Sequence, residues 1–360
     1  TPAALSLLTT AFPEGPRRAR ALGLNGALMA AGFTTGAILG GVLTDLLSWR
    51  WAFYINVGVA VVVLAIAPLV LSESRPERRP RLDVPGAVTV TLGLLAIVYG
   101  LTVAGEQSWQ APTALLSLLA GAVLLVLFWA VEKRVMEPLV PFSVLTQRTV
   151  GWGNFAGLMA FVSETSLVFL LTLYLQDVRG YSPLAAGLAF AVLGAGTVIG
   201  GLVAPKVIAA VGSKQAIVGG LVVQAVATGS LVLLGTFPDF IALLLVATFI
   251  GGVANLVAIV GFMVAVTTGL PDHEQGLATG LVTMSQQVGI AMGIPIMSAI
   301  ATATVHTGSP ATASTSILTG LTVAIGANAV LCLFTALLAH TFLRTPGTAT
   351  DITDPMGATA

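Results

Sequence analysis

With one exception, no charged side chain lies well inside any of ten long apolar runs in this chain. The runs cover roughly 22–44, 52–71, 84–104, 113–131, 150–175, 184–204, 215–234, 239–263, 277–303 and 317–342. Each meets the length of about 20 residues that a helix needs to cross a bilayer. Membrane strands would instead show segments of about 10 residues with alternating polarity, and none is present. Helices satisfy their own backbone hydrogen bonds in lipid, so the sequence predicts an all-α polytopic membrane protein with about ten complete spans. Composition agrees: charged residues make up 8% of the chain, against roughly 25% in soluble domains. Formal net charge is zero, which leaves no basis for nucleic-acid binding.

The remaining charges are distributed unevenly between the two sides. Counting alternate loops, 13 of the 15 Lys and Arg residues fall on one side and only Arg50 and Arg179 on the other. The excess marks the cytoplasmic side. Both visible ends are therefore expected in the cytoplasm, with the chain in the cell (inner) membrane. Trp49, Trp51 and Trp109 lie at outer span ends and Trp129 and Trp152 at inner ends, as interfacial anchors do. Residues 1–12 read as the last turns of an apolar helix, so the sequence looks like one that begins inside a span.

A parallel internal repeat is visible. Thr10-Ala11-Phe12-Pro13-Glu14 matches Thr268-Gly269-Leu270-Pro271-Asp272, and Ala21-Leu22-Gly23 matches Ala278-Thr279-Gly280. Gly32 and Gly36 then match Gly289 and Gly293. Spans one and nine run in the same direction, as in two half-transporters related by an axis along the membrane normal.

Several stretches resemble the major facilitator superfamily, in particular its fourteen-span drug:proton antiporter branch. They are Pro2–Leu7 with Phe12–Gly15 and Arg17–Gly23, Ser48–Val57 around Trp49-Arg50-Trp51, Tyr174–Leu188, and Gly276–Leu281. The resemblance implies that about three and a half spans precede residue 1, and that residues 1–360 alone do not transport. It also implies a division into four parts. Residues 1–71 would end the first helical half, and 72–149 would hold an extra helix pair with cytoplasmic linkers. Residues 150–342 would form a second six-helix half, and 343–360 a cytoplasmic tail.

Gly32, Gly36 and Gly40, with Gly41, form a small-residue stripe that lets helix backbones approach closely. The stripe resembles the antiporter signature of the family's fifth span and implies a seam between halves that gates alternating access. Ala37 stands where that signature has a proline. The equivalent span carries Gly289, Gly293 and Pro295. The loop at 204–214 resembles a degenerate copy of a superfamily loop, with its basic residues and Gly212 but no acidic residue.

The exception among the charges is Glu164, near the middle of the fifth run. A charge at mid-bilayer costs roughly 2.5–3.5 kcal/mol on insertion scales, and no span holds a Lys or Arg to pair with it. Asn154, Thr165 and Thr172 fall within about 100° of it on a helical wheel. A proton-coupling carboxylate facing a cavity and a neutral glutamic acid hydrogen-bonded between helices are both open readings. A second polar face comprises Thr279, Thr283, Gln286 and Gln287, and Asn255 and Gln224 add single polar groups in neighbouring spans. These side chains would either bond between helices or line a mostly apolar cavity.

Enzyme signatures are missing. There is no phosphate-binding loop, no H-E-x-x-H and no G-x-S-x-G. The three histidines are scattered and the one cysteine, Cys332, cannot form an intramolecular disulfide; neither metal nor cofactor is expected. The resemblance, together with Glu164, implies a proton-coupled secondary transporter that exports small, largely apolar or cationic molecules by alternating access. The alternative is a non-transporting membrane protein: an inactive truncated remnant or an embedded enzyme.

Overall fold

The computed structural model describes residues 12, 15–70, 83–135, 146–237, 240–268, 272–303 and 313–343. Residues 1–11, Pro13, Glu14, Arg75–Arg81, Gly269–Pro271, His306 and the tail from Arg344 lie outside the described residues. The helices are α1 (Pro16–Leu46), α2 (Trp51–Val70), α3 (Val84–Glu106), α4 (Pro112–Glu132) and α5 (Arg148–Leu173), then α6 (Pro183–Ser230), α7 (Ile241–Thr267), α8 (Asp272–Ala303) and α9 (Ala313–Phe342). A π-turn at Tyr174–Val178 extends α5, and a 3₁₀ turn at Leu231–Gly235 extends α6. No strand occurs among the described residues.

Eight of these segments are long and apolar enough to cross a membrane. The one containing α6 spans 53 residues, enough for two crossings. Gly212 divides it, with φ of +82°, a backbone region costly for any residue with a Cβ. With the 20-residue α2, the described residues hold about ten candidate crossings, in line with the apolar runs.

Helix directions can be read from the contacts. Gly196 and Gly200 of α6 meet Phe249 and Val253 of α7, so these helices ascend together. Beyond Gly212 the order reverses: Ile217 meets Gly261, Gly220 meets Ala254 and Ala227 meets Gly251. The chain therefore turns back at Gly212. Gly93 and Gly100 place α3 antiparallel to α4, whereas Gly289 and Gly293 place α8 parallel to α5. Each of these pairings fits strict alternation of ten spans.

Local signals set several of the starts. Asp83 caps α3, its Oδ1 accepting the Gly86 N–H at 2.9 Å. Ser182 caps α6, accepting from the Ala185 N–H at 3.2 Å, with Pro183 in the first turn. Both satisfy backbone donors that the first helical turn leaves free. At the start of α2, the Arg50 guanidinium lies 4.8 Å from the Trp49 ring centroid. Trp152, near the start of α5, stacks on Phe342 at 4.6 Å. Trp109 does more than anchor: its indole N–H donates to the Ala299 carbonyl at 3.3 Å, tying the α3–α4 hairpin to α8.

The small residues concentrate where α1 crosses α6. A methyl group at Gly201 would lie 2.8 Å from the Ala27 nitrogen, and one at Gly187 2.7 Å from the Ala37 carbonyl oxygen. A methyl at Gly41 would lie 3.0 Å from the Pro183 carbonyl oxygen. Gly23, Ala27, Thr34, Ala37 and Gly41 thus face Pro183, Gly187, Gly194, Gly201 and Pro205. The backbones approach this closely because neither helix carries a large side chain along the seam. Gly41 belongs to the seam, whereas a methyl added at Gly32, Gly36 or Gly40 would meet no described atom within 4 Å. The described seam lies on a neighbouring face of α1 rather than along the whole stripe. Gly289 and Gly293 bring α8 against α5, with methyl positions 2.6 Å from the Leu158 and Val162 carbonyl oxygens.

Candidate functional site

A cavity of about 250 Å³ opens beside the middle of α5. Gly26 and Met29 of α1, Phe161 and Val168 of α5, and Leu256, Ile259 and Met263 of α7 form most of its wall, with Ile290 of α8. Three polar side chains reach it: Glu164, Thr165 and Thr197. The thioethers and aliphatic chains give a compliant apolar lining, and Glu164 is its one ionisable group among the described residues.

Glu164 is half-buried and also faces a second, smaller pocket between α5, α6 and α7. There the Asn255 side chain shares the pocket wall with it. Asn255 is 3% exposed and Gln224 2%, so the carboxyl group is backed by buried amides rather than by a cation.

A polar network continues behind Gln224, whose amide N–H donates to Ser163 Oγ at 3.0 Å. Ser163 Oγ donates to Asn328 Oδ1 at 2.5 Å and lies 2.9 Å from the Cys332 sulfur. Asn328 Nδ2 in turn donates to the Ser163 carbonyl at 2.9 Å. Because that acceptor is a backbone carbonyl, it fixes the Asn328 amide, and the chain of donors then fixes Gln224. The network joins α5, α6 and α9 directly beside Glu164, in an interior where each such group needs a partner.

The other polar residues predicted from sequence are placed as follows. Thr165 lines the cavity, and its hydroxyl donates to the Phe161 carbonyl at 2.7 Å. Asn154 is buried and lies away from the cavity, its side-chain oxygen accepting from Ser285 Oγ at 3.0 Å between α5 and α8. Thr172 and Thr283 turn their hydroxyls onto the Val168 and Thr279 carbonyls of their own helices. Gln286 is half-buried and Gln287 exposed, and neither lines the cavity. Sequence reasoning misses Thr197, Thr248, Ser163 and Asn328. Asn328 does carry a signal, as a lone amide in an apolar run.

At the end rich in Lys and Arg, α1 meets the end of α7. Arg18 is buried, and its Nη1 donates to the Thr267 carbonyl at 3.3 Å. Gln275 Nε2 donates to the same carbonyl at 3.0 Å. That oxygen belongs to the last turn of α7, where carbonyls lack helical partners and the helix dipole favours a cation.

This arrangement joins an apolar cavity with one carboxyl group to a glycine-lined helix seam and a repeat of parallel spans. Residues 1–294 match the Major Facilitator Superfamily. The chain belongs to that superfamily. It is 34% identical to a puromycin resistance protein of Streptomyces alboniger over 369 residues, covering 99% of this chain and 73% of that protein. It is 36% identical to a cephamycin export protein of Amycolatopsis lactamdurans over 323 residues, covering 86% of this chain and 64% of the relative. A lincomycin resistance protein of Streptomyces lincolnensis is 30% identical over 303 residues, with 82% and 61% covered. The chain thus spans between about three fifths and three quarters of the length of these relatives. As a superfamily member with these spans, it is a multi-pass membrane protein.

Proposed function

We propose that the protein is a proton-coupled secondary transporter that exports small, largely apolar or cationic compounds by alternating access. The observation that carries this reading is Glu164, the one ionisable side chain described in the wall of an apolar cavity between α1, α5, α6, α7 and α8. A lipophilic compound is held by the Met, Ile and Phe lining, and a cationic one gains from the carboxylate. Proton and substrate then compete for one cavity, each favouring a different facing of the carrier. The names of the relatives make antibiotics such as puromycin the first substrates to try. No step of this cycle calls for enzyme chemistry or a cofactor.

In this reading residues 1–71 close the first half, 72–149 carry the extra helix pair, 150–342 form the second half and 343–360 a cytoplasmic tail. Both visible ends face the cytoplasm across the cell membrane, and the contact of Arg18 with α7 closes the cytoplasmic side. Inverted vesicles bearing the full-length protein test the proposal. An acid interior should drive puromycin accumulation, and a protonophore should abolish it. Accumulation that the protonophore leaves unchanged would exclude proton coupling.

A further inference from the structure

The smaller pocket behind Glu164 measures about 20 Å³, room for one water molecule. Its polar lining consists of Glu164, Thr197, Gln224, Thr248 and Asn255. The hydroxyl hydrogens of Thr197 and Thr248 are committed to the Gly194 and Leu244 carbonyls, at 2.8 and 2.7 Å. Their lone pairs remain free. Gln224 uses its amide N–H on Ser163, and no protein donor reaches its Oε1. Asn255 Oδ1 likewise has no donor. Both amides are more than nine-tenths buried. Two buried acceptors at this pocket therefore lack a donor, and buried acceptors need one. Water supplies two donors and typically makes about three hydrogen bonds in such a site.

We infer that this pocket binds a single water molecule hydrogen-bonded to Glu164, and that the coupling proton enters and leaves the carboxylate through it. On uptake, a proton arriving at the water as hydronium passes to a carboxylate oxygen: one O–H bond breaks, another forms, and a neutral water remains. Release reverses these steps, and no electrons are transferred. The water donates to the ionised carboxylate and accepts from the protonated one, so the buried amides keep their positions in both states. The role in coupling rests on the reading of Glu164 given above; the water site does not.

Radiolytic footprinting of the full-length protein in lipid nanodiscs tests the site, because hydroxyl radicals formed from bound water oxidise the side chains beside it. Leu167 and Leu193 line this pocket, whereas the fully buried Leu170 and Leu171 line neither cavity. Oxidation is expected at Leu167 and Leu193, absent at Leu170 and Leu171, and lost at the first pair in Gln224→Leu. Absence of oxidation at Leu167 and Leu193 in the wild type overturns the water site, whatever the variant does. If Gln224→Leu loses the labelling, pH-driven accumulation in vesicles should fall to the level of Glu164→Gln. Unchanged accumulation would overturn the relay. Should Glu164→Gln itself keep full pH-driven accumulation, the assignment of the coupling proton to Glu164 fails while the footprint still decides the water site.

Discussion

Glu164→Gln in the full-length protein should abolish substrate accumulation driven by a pH gradient while the protein still inserts and folds. The substitution removes the charge at nearly constant volume and keeps hydrogen-bonding capacity toward Asn255. One pH unit is worth 1.36 kcal/mol per proton, so one-for-one antiport sustains about a tenfold substrate gradient per unit. The Gln variant should sustain none. It should still exchange labelled for unlabelled substrate, since the apolar lining from Phe161 to Met263 is untouched. Glu164→Asp keeps a titratable group and should retain part of the coupling with an altered pH dependence. Accumulation and exchange measured on the same vesicles separate these outcomes. Full accumulation by the Gln variant would make Glu164 a structural hydrogen-bonding group.

Gly201→Leu should also abolish transport, for a different reason. A methyl at this position already lies 2.8 Å from the Ala27 backbone nitrogen and 2.9 Å from Leu256 Cδ2. Because the close contacts in α1 are the Ala27 nitrogen and its Cα at 3.0 Å, both backbone atoms, the helix as a whole must move away. Overpacking of this kind costs about 1–3 kcal/mol, and here it acts on the contact between α1 and α6. A methyl at Gly219 would meet nothing within 4 Å, so Gly219→Leu should change stability by no more than about 0.5 kcal/mol. Thermal unfolding in detergent and transport, measured for both variants, should separate seam from surface. Equal behaviour of the two would show that the tight crossing is dispensable.

The spans are legible in the sequence because lipid enforces one rule throughout: about 20 apolar residues with charge only at the ends. The caps at Asp83 and Ser182 are legible for a similar reason, since Ser or Asp one or two residues before proline has a local meaning. Glu164 stands out because it breaks the apolar rule. Its partners do not, because their placement depends on how helices rotate against one another. Asn154 and Thr172 share its wheel face, yet one bonds to Ser285 and the other to its own helix. The seam shows the same limit. Small residues mark α1 as a packing helix, but only the contact with α6 selects the face through Ala27, Ala37 and Gly41. The turn at Gly212 is readable as a loop from its basic residues, whereas its positive φ is not.

If proton and substrate compete at Glu164, substrate binding must displace a proton, and that release can be measured directly. Puromycin added to the purified full-length protein in weakly buffered detergent solution, with a pH indicator present, should release protons from the wild type. Under the same conditions Glu164→Gln should bind puromycin without that release. Equal release from the two proteins would contradict competition at Glu164, and would place the coupling proton elsewhere in the transporter.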